Sequence, residues 1–204
     1  MHYLDLTHTI TNNMPAHPLD IAIQLQSTAT YQEHGVANES LHGGVHMGTH
    51  IDAPGHFIDN GKKITDFPLS TFIGRAVCID AHKQKIITPD LLMHIQLKKD
   101  DIIIFYTGWD IRFYESNYFD EHPVISKDCA QYLINAGIKM VGVDFPSVDT
   151  APYAIHRLLL SHDILIIENL TNIISLINKP FNLIALPLKI DAHGAPARVI
   201  AEIK

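Results

Sequence analysis

Apolar residues in this chain come in short runs separated by polar turns, not in long helical periods. Residues 21–26 (Ile-Ala-Ile-Gln-Leu-Gln) alternate apolar with polar, the pattern of a strand with one wet face. The runs at 75–80, 101–107, 140–145, 164–168 and 182–188 are almost continuously apolar and read as short, mostly buried strands. Residues 197–203 alternate again and are expected to close the sheet. Helix signals are fewer. Thr88-Pro89-Asp90 offers an N-cap followed by proline at the first helical position, leading into Leu91-Leu92-Met93. Ser126 can cap a helix running to Ala136, with Gly137 ending it in the left-handed conformation. A third helix, over 154–160, precedes the strand at Ile164. Strands outnumber helices and the two are interspersed, which predicts a mixed, strand-rich α/β domain. No repeat, low-complexity tract or Gly/Ser linker divides the chain, so 1–204 reads as one domain.

Composition narrows the function classes. The chain has 204 residues, 47% of them hydrophobic and 18% charged, so a folded core is expected rather than disorder. The net charge is −7, and the pair Lys98-Lys99 is cancelled by Asp100-Asp101. A nucleic-acid partner is therefore not expected. Cys78 and Cys129 lie far apart in apolar surroundings and read as buried small hydrophobes of a reducing compartment. No basic segment leads into an apolar run at the N-terminus, and no apolar stretch approaches the ~18 residues of a membrane span. A cytoplasmic protein without a membrane partner is the expectation.

Fourteen histidines are the conspicuous feature. Four of them fall within residues 42–56, HGGVHMGTHIDAPGH: His42, His46, His50 and His56. Gly43, Gly44, Gly48 and Pro54 rule out a helix there. In an extended segment His46, His50 and Asp52 share a face, yet His46 and His50 would stand ~13 Å apart. One ion with bonds of ~2 Å cannot span that. A turn at Gly48 that folds His46 back towards His50 and Asp52 solves the problem, and glycines let a backbone wrap an ion. Two imidazoles and a carboxylate suit Zn²⁺, Mn²⁺ or Fe²⁺ and leave positions open for water, as in a catalytic site. The competing reading is a polar, glycine-rich surface loop. Downstream, Glu168 closes the apolar run 164–167, where an unpaired carboxylate would cost several kcal/mol. His156 lies in the helix just before it, where an exposed histidine is an equally good reading.

The motif His46-x-Gly48-Thr49-His50-x-Asp52-x-Pro54-x-His56 resembles the signature of the cyclase family, which includes bacterial kynurenine formamidases and the related isatin hydrolases. The resemblance spans nearly the whole chain. Asp5-Leu6-Thr7-His8 and Met14-Pro15 match its opening, and Thr107-Gly108-Trp109 matches a middle motif. Asp144-Phe145-Pro146-Ser147-Val148-Asp149 matches a later one. Leu186-Pro187-Leu188 with Gly194-Ala195-Pro196-Ala197-Arg198 is similar to the close. The resemblance implies a swivelling β/β/α domain, a homodimer or larger homo-oligomer, and a divalent metal, zinc or manganese, as one or two ions per chain. It implies that His46, His50 and Asp52 bind the first ion, that Asp52 bridges to a second held by His156 and Glu168, and that His56 is the general acid/base. One position departs from the pattern. The formamidases carry a tryptophan after Met-Pro, where this chain has His17, and Leu19 replaces an expected glycine. His17 is the substrate-binding candidate, and its weaker stacking points away from N-formylkynurenine.

The reaction this implies is hydrolysis of an amide, formamide or cyclic amide or ester of a small molecule. The ion would polarise the carbonyl and acidify water towards a pKa of ~7, and His56 would shuttle the proton to the leaving group. Ser147, Asp149 and Trp109 are further pocket candidates. No G-x-S-x-G elbow, phosphate loop or dinucleotide motif occurs. The alternatives are a cyclase or dehydratase using the same ion, and a metal-containing ligand-binding module without turnover.

Overall fold

The computed structural model describes residues 2–177 and 179–203. Its strands are β1 (His2–Asp5), β2 (Gln24–Ala29), β3 (Asn38–His42), β4 (His50–Asp52), β5 (Ile73–Asp80), β6 (Ile86–Ile87), β7 (Ile102–Tyr106), β8 (Val124–Ile125), β9 (Met140–Val143), β10 (Leu165–Glu168), β11 (Phe181–Pro187) and β12 (Gly194–Ile203). The helices are α1 (Tyr31–His34), α2 (Lys127–Ala136) and α3 (Ala154–Leu160). The main sheet runs β1-β12-β11-β5-β7-β9-β10-β4, and β4 also pairs with β12, closing the seven strands from β12 to β4 into a barrel. β5, β7, β9 and β10 are mutually parallel, whereas β4, β11 and β12 join antiparallel. This is the mixed, strand-rich α/β domain that the sequence pattern predicts, and its closure into a barrel is what the structure adds.

Side-chain alternation divides the core in two. Ile102 and Ile104 of β7, Leu165 and Ile167 of β10, and Ala195 and Ala197 of β12 belong to the cluster inside the barrel. The opposite face carries Ile103 and Phe105, Val141 and Val143, and Ile166, which pack under α2 and α3. Burial on both faces explains why these strands read as continuous apolar runs. Helix α2 has the predicted ends: the Ser126 hydroxyl accepts from the Cys129 N–H, and Gly137 takes φ +69°. Such a cap is worth about 1 kcal/mol.

Two expectations need correction. The Thr88-Pro89 start signal opens only a single 3₁₀ turn over Pro89–Leu92, in which Leu92 alone is buried. The alternation at 21–26 yields β2, shifted to Gln24–Ala29 and wet on both faces. It pairs only with β3, in a two-stranded ribbon outside the barrel, so no core imposes a one-sided pattern. Both cysteines are buried. Among the described residues no helix is long and apolar enough to cross a membrane.

Candidate metal centre and cavity

The sheet register assembles the site. β4 lies antiparallel to β10 with His50 opposite Glu168 and Asp52 opposite Ile166. Ile51 and Ile167 point into the barrel, so His50, Asp52 and Glu168 share the outer face beside α3. Helix α3 adds His156, which is buried rather than exposed. His46 arrives by the expected turn. Gly48 takes φ +57°, and a β-carbon there would fall 2.9 Å from the Met14 side chain. The His46 ring lies against the backbone of Gly194, where a β-carbon would stand 2.4 Å from its Cε1.

The donor atoms converge. His46 Nδ1 is 2.6 Å from Asp52 Oδ1, and His50 Nε2 is 3.4 Å from both Asp52 Oδ1 and Glu168 Oε2. His156 Nε2 lies 3.2 Å from Glu168 Oε1 and 3.6 Å from Asp52 Oδ2. Two groups therefore overlap at one carboxylate: His46, His50 and Asp52, and Asp52, His156 and Glu168, each with ligand atoms within 4.8 Å of one another. Asp52 Oδ2 is buried without a hydrogen-bond donor, the kind of acceptor that an ion would satisfy. The set is hard enough in oxygen and borderline enough in imidazole for a divalent metal.

The supporting bonds orient the rings. His50 Nδ1–H donates to the Gly48 carbonyl at 2.7 Å, which leaves Nε2 for the cluster. His156 Nδ1–H donates to Asp149 Oδ1 at 2.5 Å, and Asp149 Oδ2 accepts from the Ile155 N–H in the first turn of α3. Burial pulls the His50 pKa down, but its bonds to Asp52 and Glu168 win and hold it at about 10. His156 is likewise raised against burial by Asp149, Asp52 and Glu168. Without an ion, protons on these rings balance the carboxylates.

His56 is different. It ends the short turn Pro54–His56, stacks on His46 with ring centroids 4.0 Å apart, and meets Phe57 edge-on at 4.4 Å. It remains open on one side, while the packed rings desolvate it and lower its pKa to about 4. It is thus a neutral base near pH 7.

His46, His50, His56, His156 and Glu168 line one cavity of about 260 Å³, whose walls include Phe57, Phe113, Phe119 and Met47, with Asp52 buried behind them. His17 also lines it, edge-on to Phe119 at 5.6 Å, with its Nδ1 accepting from the Leu19 N–H. Ser147 lines it, its hydroxyl donating to the Asp149 carbonyl. Asp149 itself stands behind His156 rather than facing substrate. Trp109 is no wall residue: its indole N–H donates to the Tyr118 carbonyl, and the Arg112 guanidinium covers its ring. Asp144, pushed up to about 7 by burial, accepts from the Thr107 and Gly108 N–H groups away from the cluster.

Sequence reasoning did not single out the phenylalanines or Asn169, which follows Glu168. Asn169 Nδ2 donates to the Gly48 carbonyl, and its own carbonyl accepts from Thr49. A polar residue directly after a buried strand was the available signal. The phenylalanines carried none, because cavity walls and cores use the same residue types.

A family model described as "Putative cyclase" matches residues 4–150. Kynurenine formamidase from Bacillus mycoides is 31% identical over an alignment that covers 97% of this chain and 96% of that one. Among solved structures, isatin hydrolase A from Labrenzia aggregata bound to benzyl benzoate superposes with a TM-score of 0.91 at 25% identity, covering 99% of this chain and 93% of that one. A predicted metal-dependent hydrolase from Bacillus stearothermophilus gives 0.83 at 26% identity, covering 98% and 97%.

Proposed function

Because the chain belongs to this cyclase family, we propose that it is a metal-dependent hydrolase that opens a formamide or cyclic amide or ester bond on a small aromatic molecule. The observation that carries this reading is the pair of His/carboxylate groups sharing Asp52 at the base of a phenylalanine-lined cavity. The names of the relatives support it, since one is a kynurenine formamidase and another an isatin hydrolase.

His46, His50, Asp52, His156 and Glu168 would hold zinc or manganese, as one ion or two. The ion supplies Lewis acidity, which polarises a carbonyl and makes water a nucleophile near neutral pH. The protein does the rest. Asp52 and Glu168 offset the positive charge, and Gly48 and Asp149 fix the ring orientations of His50 and His156. His56, neutral and open to the cavity, takes the proton from the attacking water and returns it to the leaving amine or alkoxide. Phe57, Phe113 and Phe119 exclude water and receive the aromatic ring, with His17 closing one wall. The working assembly is a homodimer or larger homo-oligomer in the cytosol, with the small-molecule substrate as its other partner.

Product analysis tests the reading. Protein loaded with zinc or manganese is incubated with aryl formamides and with cyclic aryl amides, and formate or a new carboxylate is quantified. Release that stops on chelation and returns with metal is expected. Tight binding of these compounds with no product would overturn the hydrolase in favour of a binding module.

A further inference from the structure

We propose that Asn169 is a positioning residue for the metal-binding turn, holding Gly48–His50 so that the His50 Nε2 faces Asp52 and Glu168. The inference rests on the reading above that His50 is a ligand. The observation is a chain of hydrogen bonds that starts in the core and ends on that imidazole.

Tyr118 is fully buried, and its hydroxyl donates to Asn169 Oδ1 at 2.8 Å. This bond fixes which end of the amide is which: with Oδ1 occupied by a donor, Nδ2 must face the turn. Nδ2 donates to the Gly48 carbonyl at 2.9 Å, the same oxygen that accepts from His50 Nδ1–H. One carbonyl thus receives two donors, one from the core and one from the ligand ring. The Asn169 backbone carbonyl accepts from the Thr49 hydroxyl at 2.6 Å, and that hydroxyl in turn accepts from the His8 N–H. Asn169 therefore grips both residues that precede His50.

Its backbone explains the residue type. Asn169 has φ +57°, where asparagine is among the few residues other than glycine that sit readily. The conformation turns the chain straight after Glu168, so one segment supplies both a ligand and the brace for the ligand opposite. His156 has a different brace, the Asp149 carboxylate. Partners behind ligating histidines fix the tautomer and ring angle, and their loss costs about 10–100-fold in metal affinity.

The test uses Co²⁺ as probe, with affinity measured by competition against a chromophoric chelator and the visible spectrum as a report on ligand geometry. Asn169→Gly keeps φ +57°, the carbonyl bond from Thr49 and the N–H bond to the Phe145 carbonyl, but removes the side chain. It is expected to weaken Co²⁺ binding about 10-fold, the lower end for a partner behind a ligating histidine, because Asn169 holds the carbonyl and not the ring itself, and to change the spectrum. It also strands the Tyr118 hydroxyl, which by itself lowers stability. The double variant Tyr118→Phe/Asn169→Gly has no stranded hydroxyl, so it is expected to regain Tm without regaining affinity. Affinity that returns together with Tm, or that never falls, would overturn the positioning role and leave Asn169 a purely structural residue. Wild type that binds Co²⁺ normally but hydrolyses no amide would sink the proposed function while leaving this inference standing.

Discussion

The cavity's base and its rim hold their histidines in opposite ways. At the base, His50 and His156 stand on a strand and a helix, face two buried carboxylates, and are driven towards the charged form, His50 to about 10. At the rim, His56 stands on a three-residue turn, packs against the rings of His46 and Phe57, and is driven to about 4. The chemistry follows from the surroundings rather than from the residue type. A ring that prefers positive charge next to carboxylates marks a place where a cation belongs. A ring that is neutral near pH 7 keeps a lone pair on one nitrogen, which can receive a proton released beside it. His46 joins the two regions, touching Asp52 through Nδ1 and stacking on His56.

The largest effect should come from the carboxylate common to both groups of ligands. Asp52→Asn is expected to abolish turnover, whatever metal is supplied, because the first group loses its only carboxylate and the second loses one of its two. Measurable kcat in this variant would break the division between base and rim. His56→Ala comes next, with kcat down ~10²–10⁴-fold, the usual worth of a positioned acid/base, and with aryl amide binding retained. Asp149→Asn should be milder. It removes the charge behind His156 and is expected to weaken metal binding about 10–100-fold, as read by chelator competition.

The smallest effect concerns the packing that carries the cavity wall. His8 stacks on Phe113 with centroids 3.8 Å apart, and burial lowers its pKa from 6.5 to about 4. Below pH 6.5 the unfolded chain takes up a proton that the folded His8 refuses. Its contribution to stability is therefore full above 6.5 and is lost progressively as pH falls towards 4. His8→Phe keeps the stack and should flatten the fall of Tm across that window; an identical pH profile would remove His8 from the account.

Much of the base was legible in the sequence because its residues are costly anywhere else. His46, His50 and Asp52 stand among glycines that make no helix, and Glu168 ends an apolar strand. Such groups need partners, and the partners are what the structure supplies. Helix α2 was legible from both of its ends, since Ser126 and Gly137 act locally. What could not be read was distance across the fold. Glu168 stands opposite His50 only because β10 pairs with β4 in one register, and a strand of three residues such as β4 leaves no periodicity to find. The strand expected at 21–26 was misplaced and β3 was missed, because the ribbon they form has no core face to pattern it. Asn169 was missed because its role lies in bonds to Gly48 and Thr49, residues distant in sequence.

The claim that the base holds the ion while the rim moves the proton is tested most directly by elemental analysis of Asp52→Asn and His56→Ala, purified side by side with wild type. The expected result is that His56→Ala carries the wild-type metal content and Asp52→Asn carries essentially none. Metal lost from His56→Ala, or retained in full by Asp52→Asn, would contradict it.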